Sequence, residues 1–224
     1  MPRLLHLDSS ADIATSVSRT LTREFAAAWV ASGQNREITY RDLHAEPLPH
    51  LPAASLHWAT ELRPPDMRQP SAVAASLQAE LLDELAAADA LVIGAPLYNY
   101  SMPSALKAWV DHVQVGGVTS PSGSQPRFRT GKPAVVIVTR GAIYDSGTVN
   151  EGRDHGSPVL QLILGDVMGF KVEIITLDRT LARVSPAMSR EADRYDSDLR
   201  DARERVNDLA IRVSGQVPSD FVDE

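Results

Sequence analysis

Cysteine is absent from the 224-residue chain. Its absence excludes disulfide bonds, thiolate nucleophiles and cysteine-ligated metals. The six histidines, at positions 6, 44, 50, 57, 112 and 155, have no compact spacing of the kind that metal ligands need. The sequence therefore predicts no metal site.

Positive charge and long apolar runs are also scarce. The formal net charge of −7 argues against nucleic-acid binding, because neutralising phosphates requires a basic face. No window approaches the ~20 apolar residues of a membrane span, and the apolar run near the N-terminus is too short for a signal peptide. With 43% apolar and 23% charged residues the composition is that of a globular protein, and we expect it in the cytoplasm, without nucleic-acid or membrane partners.

Three common nucleotide-binding or catalytic motifs are missing as well. The chain has neither the Gly-x-Gly-x-x-Gly fingerprint of dinucleotide folds nor the glycine–lysine motif of P-loops. It also lacks Gly-x-Ser-x-Gly, so a Ser–His–Asp hydrolase would have no nucleophile elbow.

The sequence does contain a regular alternation of apolar strands and amphipathic helices. Short apolar runs predict five strands, at residues 3–7, 34–43, 90–94, 133–139 and 172–177. Helical periodicity predicts helices at residues 18–31, 71–88, 102–113, 157–169 and 190–213. This repeat predicts an α/β fold, a doubly wound five-stranded parallel sheet of order 2-1-3-4-5 with helices on both faces. We expect residues 1–213 to form one domain, followed by a polar tail at 214–224.

In such a sheet, ligands bind beside the carboxyl ends of the strands. The loop after strand 1 is rich in hydroxyl groups, including Ser10, Ser16 and Ser18. Hydroxyls and the free N–H groups of a helix N-terminus together suit a phosphate. An ordinary helix cap by Ser16 or Ser18 is the alternative, and the direction of Arg19 is not evident from the sequence.

The loops after strands 3 and 4 suit a planar ring. Residues 96–100 read PLYNY, which combines aromatic surface with an amide, although partly buried packing tyrosines are the alternative. Ser101 is predicted to cap the next helix, with Pro103 in its first turn. Gly141 and Ala142 would let a ring approach the backbone, but Gly141 could equally serve a turn with positive φ.

The three loops converge at the switch point of the predicted sheet. A phosphate loop beside two ring-binding loops matches the shape of FMN, which joins a terminal phosphate to a tricyclic ring through a flexible ribityl chain. We therefore expect FMN as the cofactor.

These motifs together resemble the flavodoxin-like FMN-dependent NADH-azoreductases, also called FMN-dependent NADH:quinone oxidoreductases. The resemblance covers about residues 4–211 and rests on residues 9–10, 16–18, 96–100 and 139–142, with Leu106-Lys107 and Gly169-Phe170 in support. It implies FMN contacts from Ser10, Ser16, Val17, Ser18, Pro96, Leu97, Tyr98, Asn99, Tyr100, Thr139, Arg140, Gly141 and Ala142. It also implies NADH or NADPH as co-substrate and a homodimer with two sites near the subunit interface.

The chain departs from the family pattern at several positions. Thr139 and Ala142 stand where Ser and a second Gly are common, and Tyr144 stands where His is frequent. Residues 44–70 hold six prolines and predict a long surface segment whose role the sequence does not indicate. These departures affect the expected substrate range and nicotinamide preference more than FMN binding.

The activity that the resemblance implies is two-electron, ping-pong reduction of quinones or azo compounds by NAD(P)H, with the flavin supplying the chemistry. No side chain is assigned a catalytic role, and Tyr144 is a candidate substrate contact. Two alternatives stay open, a non-enzymatic flavodoxin-like electron carrier and an NAD(P)H:FMN reductase that releases reduced flavin. The physiological acceptor is not indicated.

Overall fold

The computed structural model describes residues 1–121 and 128–217. Within these residues a single sheet contains β1 (Arg3–Asp8), β2 (Glu37–Asp42), β3 (Ala90–Pro96), β4 (Pro133–Thr139) and β5 (Lys171–Leu177). All neighbouring strands are parallel and the order is β2-β1-β3-β4-β5. The predicted fold class and strand order are confirmed.

The helices follow the predicted order. They are α1 (Val17–Ala31), α2 (Ala72–Ala87), α3 (Ser104–Val113), α4 (Gly156–Leu160) and α5 (Ala192–Gln216), and α4 continues as a π-helix over Gln161–Val167. Short 3-10 turns occupy Ala54–His57, Thr60–Leu62 and Pro186–Glu191. Helix α5 runs three residues past the predicted limit at 213, and residues 218–224 of the predicted tail lie outside the described residues. In the described part of the chain, no helix combines the length and apolar character needed to cross a bilayer.

Helix α3 begins two residues later than predicted, and Ser101 does not cap it. Its N-cap is Pro103, which has no capping side chain. The Ser101 backbone is already engaged with Tyr98, since its N–H donates to the Tyr98 carbonyl over 3.0 Å and its carbonyl accepts the Tyr98 N–H over 2.8 Å. The chain must complete this turn before a helix can start.

Two apolar layers cover the sheet. Strand β3 shows the alternation, because Leu91 and Ile93 pack with α2, α3 and α4, whereas Ala90 and Val92 pack with α1 and α5. Both faces of the sheet are therefore buried from solvent, as expected of a parallel sheet. Fully buried large apolar residues such as Phe25 and Leu106 each stabilise the fold by about 1.5–3 kcal/mol.

Gly94 lets α1 approach the end of β3 closely. A Cβ atom at this position would lie 2.8 Å from Asp8 Oδ1 and 3.2 Å from Thr22 Cγ2. Its carbonyl accepts a hydrogen bond from the buried Ser9 hydroxyl over 2.6 Å. This contact ties the loop after β1 to β3, directly below the carboxyl edge of the sheet.

Candidate cofactor-binding site

A cleft of about 500 Å³ lies at the carboxyl edge of the sheet. It is lined by parts of all three predicted loops and by the connection after β5. The lining residues are Ser10, Asp12, Thr15, Ser16, Val17, Pro96, Leu97, Tyr98, Thr139, Gly141, Thr180, Leu181, Arg183, Val184 and Tyr195. The cleft has the volume expected of a small-molecule site.

The loop after β1 presents hydroxyls and backbone donors to this cleft. Ser16 is the N-cap of α1, and its hydroxyl accepts the Arg19 N–H over 3.4 Å. The N–H groups of Val17 and Ser18 open the helix, where intrahelical acceptors are missing and the helix dipole is positive. Ser16 therefore caps the helix, and the same geometry aims donors at the cleft, so the two readings of the loop are compatible.

Ser18 is part of this loop but does not face the cleft. Its side chain is fully buried, and its hydroxyl lies 3.0 Å from the Ser16 hydroxyl. Ser18 therefore orients Ser16, and only its backbone N–H is placed to meet an anion.

Arg19 points away from the cleft. Its guanidinium forms a two-pronged ion pair with Asp42 at 2.6 and 2.8 Å, and it donates to the Ser10 carbonyl over 2.7 Å. Burial raises the pKa of Asp42, but the hydrogen bonds from Arg19 and from the backbone of Ala45 and His44 outweigh it and lower the pKa to about 2. Arg19 thus holds the serine loop against β2 and supplies no free cation to a phosphate.

A buried polar network continues from Arg19 below the loop. Asp8 accepts from Thr22 over 2.8 Å and from Tyr40 over 3.1 Å, and His6 lies 3.5 Å away. Burial raises the pKa of Asp8, but the contact with His6, the hydrogen bond from Thr22 and the charge of Arg19 outweigh it, so the pKa is held below its usual value. Asp8 is therefore a structural carboxylate.

The loop after β3 forms a tight two-residue turn. Tyr98 and Ser101 pair as an antiparallel bridge, and the two residues between them are left-handed, with φ of 48° at Asn99 and 69° at Tyr100. Positive φ at both central residues is the pattern of a type I′ turn. Asparagine tolerates it well, whereas tyrosine at positive φ is strained by about 1–2 kcal/mol.

Tyr98 is the residue of this turn that enters the cleft. Its hydroxyl lies 3.1 Å from the Ser10 hydroxyl and accepts the Ala11 N–H over 3.1 Å. Asn99 instead lines an adjoining hollow with Met102, and Tyr100 does not line the cleft. The turn therefore forms a wall between the cleft and its neighbour.

The loop after β4 contributes Thr139 and Gly141 to the cleft. The φ of Gly141 is not in the left-handed region, so the turn reading of this glycine is wrong. A Cβ here would lie 2.9 Å from Leu181 Cδ1, which shows that Gly141 permits a close approach of the loop after β5.

Arg140, Ala142 and Tyr144 lie beside the cleft without lining it. The Arg140 guanidinium binds Asp178 and, over 3.1 Å, Asp154, and it stacks 4.9 Å from the Tyr144 ring centroid. The Ala142 carbonyl accepts the Arg179 N–H over 3.1 Å. These residues brace the loop after β4 against the end of β5.

No sequence motif indicated the wall of the cleft that is contributed by the connection after β5. Thr180, Leu181, Arg183 and Val184 line the cleft, as does Tyr195 in the first turns of α5. The signal that could have found them is topological, because β5 is parallel to β4 and its carboxyl end must open at the same edge.

Comparison with known proteins agrees with the observed fold. A family described as having a flavodoxin-like fold matches residues 2–199. The chain belongs to this family. The resemblance inferred from the sequence motifs is thus confirmed at the level of family and fold.

Relatives of this flavodoxin-like chain carry a shared name. A protein of Kineococcus radiotolerans named FMN-dependent NADH:quinone oxidoreductase is 46% identical over 213 residues, covering 94% of this chain and 99% of its own length. A protein of Frankia alni with the same name is 40% identical, covering 88% and 92% of the two chains.

Solved structures show the same architecture. An azoreductase from Bacillus anthracis str. Sterne superposes with a TM-score of 0.79 at 19% identity, covering 95% of this chain and 100% of its own. An FMN-dependent NADH-azoreductase from Bacillus anthracis str. Ames Ancestor, solved in complex with FMN, gives a TM-score of 0.76 at 20% identity and covers 95% and 99% of the two chains. At such identities these structures support the fold alone.

Proposed function

We propose that the protein is an FMN-dependent oxidoreductase that uses NADH or NADPH to reduce quinones, azo compounds or both. The observation that carries this proposal is the single cleft that joins the serine loop, residues 96–98 and residues 139–141. The names of relatives up to 46% identical along nearly their whole length support the same activity.

The residues of the cleft fit FMN. The start of α1 and the hydroxyls of Ser10, Thr15 and Ser16 form a donor set suited to a phosphate. Pro96, Leu97 and Tyr98 offer an apolar wall for a planar ring. When bound there, FMN would supply two-electron redox chemistry that the protein's own side chains lack.

In this proposal the role of the protein's own residues is to bind and orient FMN. Ser16 and the first N–H groups of α1 hold the phosphate, and Thr139 and Gly141 line the far edge of the cleft. Asn99 lines the adjoining hollow, and Tyr144, which packs on Arg140 beside the cleft, is the proposed contact for an acceptor. Tyr144 keeps its proton because burial raises the pKa of its phenol. No side chain acts as a nucleophile.

We further propose a ping-pong kinetic order. With FMN in a cleft of about 500 Å³, little room is left beside the ring, so the nicotinamide and the electron acceptor would use the remaining opening in turn. Parallel lines in double-reciprocal plots at varied NADH and quinone would support this order, and intersecting lines would contradict it.

A homodimer and a cytoplasmic location are also part of the proposal. Trp58, Leu62 and Val118, which are 46%, 42% and 40% exposed, form an apolar patch on the Pro-rich segment and the loop after α3 that suits a subunit interface. Light scattering after gel filtration should give twice the monomer mass; a monomer would refute the dimer.

The proposed cytoplasmic location rests on the co-substrate, because NAD(P)H is held inside the cell.

The activity is tested by turnover. Purified protein with FMN, NADH and a quinone should consume many equivalents of NADH per protein, whereas omission of the protein or the quinone should abolish the sustained rate. Consumption of a single equivalent would favour the electron-carrier alternative.

Flavin retention distinguishes the proposed enzyme from the alternative, an NAD(P)H:FMN reductase that releases reduced flavin. We expect a yellow protein whose visible flavin band survives gel filtration. Loss of all flavin on the column, together with NADH oxidation that rises with added FMN, would favour release instead.

A further inference from the structure

The proposed phosphate site has no cation from its own loop. Arg19 is 4% exposed and committed to Asp42 and the Ser10 carbonyl. The cleft also contains the carboxylate of Asp12, which accepts the N–H groups of Ala14 and Thr15 over 3.0 and 2.8 Å. A phosphomonoester carries close to two negative charges at neutral pH, so its binding here calls for a positive partner from elsewhere.

Tyr195 offers an unused donor in the same cleft. The residue is 7% exposed and lines the cleft. No residue that the structure describes forms a hydrogen bond with its hydroxyl, and the hydroxyl oxygen is not among the fully buried polar atoms, so it is accessible to a ligand in the cleft. Burial raises the pKa of Tyr195, so the hydroxyl stays protonated and is able to donate.

Arg183 brings a guanidinium to this wall. It lines the cleft and is paired with Asp196, one residue after Tyr195. The Arg183 and Asp196 side chains are 55% and 37% exposed. The pair is two-pronged but open to water, and a phosphate is a stronger anion than a carboxylate, so in this inference the guanidinium turns from Asp196 to the phosphate.

The packing of α5 against α1 places Tyr195, and with it the neighbouring Arg183–Asp196 ion pair, near the start of α1. Helices α1 and α5 follow parallel strands and cover the same face of the sheet. Arg203 of α5 lies 3.2 Å from Glu24 of α1. Tyr195 precedes Arg203 by as many residues as Ser16 precedes Glu24, so Tyr195 lies level with the N-cap.

We propose that Arg183 and Tyr195 form the second wall of the phosphate site and clamp the phosphate of FMN against the N-terminus of α1. This inference rests on the FMN-dependent function proposed above. It assigns the connection after β5 a direct role in cofactor affinity and makes Arg183 the cation that the serine loop lacks.

The test compares FMN with riboflavin, which has the same ring and ribityl chain but no phosphate. Dissociation constants are measured by flavin fluorescence for the wild type, Arg183→Gln and Tyr195→Phe. The matched control is Arg212→Gln, because Arg212 is equally exposed at 55% and is paired with Glu173 at the other end of α5. Arg183→Gln should weaken FMN binding about 10-fold and Tyr195→Phe about 3- to 10-fold. Riboflavin affinity should not change in either variant, and Arg212→Gln should match the wild type.

The outcomes separate this inference from the proposed function. A wild type that binds FMN, with both variants binding it equally well, overturns the clamp and leaves the proposed function standing. Equal losses for FMN and riboflavin also overturn it, because the contacts would then be to the ring or ribityl chain. A wild type that binds neither flavin overturns the proposed function and the clamp together.

Discussion

Tyr98 joins two loops that are 88 residues apart in the chain. Its hydroxyl meets both the Ser10 hydroxyl and the Ala11 N–H at 3.1 Å, so one phenol holds the loop after β1 at a set distance from β3. The neighbouring Tyr100 is 46% exposed and its hydroxyl has no partner within the described ranges. Two tyrosines that look equivalent in the sequence therefore have different roles.

Tyr98→Phe should weaken FMN binding about 3- to 10-fold, because it removes a hydrogen-bonded pair worth ~1 kcal/mol and leaves the Ala11 N–H without its acceptor. Tyr100→Phe is the matched control and should bind FMN like the wild type. Fluorescence titration measures both. Equal affinities for the two variants would show that the Tyr98 hydroxyl does not organise the site.

At the scale of elements, the start of α1 serves two purposes. Ser16 caps the helix and also lines the cleft, whereas Ser71 caps α2 through the Ala74 N–H over 3.2 Å at a distance from the cleft. The two caps are chemically alike, so they separate the stabilising effect of a cap from its effect on a ligand.

Ser16→Ala and Ser71→Ala should each lower the free energy of unfolding by about 1 kcal/mol, as expected for the loss of an N-cap. Only Ser16→Ala should also weaken FMN binding. Urea unfolding and flavin titration on both variants give the comparison. If Ser71→Ala reduced FMN affinity as much as Ser16→Ala, the effect would be one of general stability.

Gly94 controls how closely α1 packs on β3. Gly94→Ala should destabilise the fold by about 1–3 kcal/mol, because its Cβ would lie 2.8 Å from Asp8 Oδ1 in a filled layer. Gly215→Ala, in α5 with no atom within 4 Å, should instead stabilise by about 0.5–1 kcal/mol through helix propensity. Thermal unfolding should show opposite shifts, and a neutral Gly94→Ala would mean that α1 can move outward freely.

At the scale of the whole molecule, one largely buried ion pair joins the end of the edge strand β2 to α1, in addition to the ladder with β1 and the ion pairs of Glu37 and Arg41. Asp42 ends β2, Arg19 lies on α1, and Arg19 also contacts Ser10 after β1. The side chain of Arg19 is 5% exposed and that of Asp42 is 15% exposed, so water screens the pair weakly. Acid should therefore weaken the attachment of β2 and the support of the serine loop together.

The direction of the pH effect follows from the Asp42 pKa, which falls from 3.8 to about 2 on folding. A lowered folded-state pKa stabilises the protein above the unfolded value, and this stabilisation is lost as pH falls towards 2. The lowered Asp42 pKa contributes about 2 kcal/mol to the free energy of unfolding at neutral pH. Urea unfolding between pH 5 and pH 3 should show a steeper loss for the wild type than for Asp42→Asn.

The control for this pH profile is Asp201→Asn, because Asp201 is exposed and forms no ion pair among residues 1–121 and 128–217. Its profile should follow that of the wild type. A wild-type slope no steeper than that of Asp42→Asn would show that the Arg19 pair does not contribute to acid sensitivity.

The order of the elements and the sheet topology could be predicted from the sequence, because buried parallel strands are continuous apolar runs and right-handed crossovers leave few arrangements. The motif PLYNY and the serine loop likewise indicated the cofactor class, since their chemistry is local. Only the tertiary structure decided which side chains face the cleft. Side-chain direction depends on packing, as Ser18, Arg19 and Arg140 show by turning into buried contacts. The wall formed by Arg183 and Tyr195 exists only because α5 packs beside α1, and no local sequence pattern indicates that these two helices are in contact.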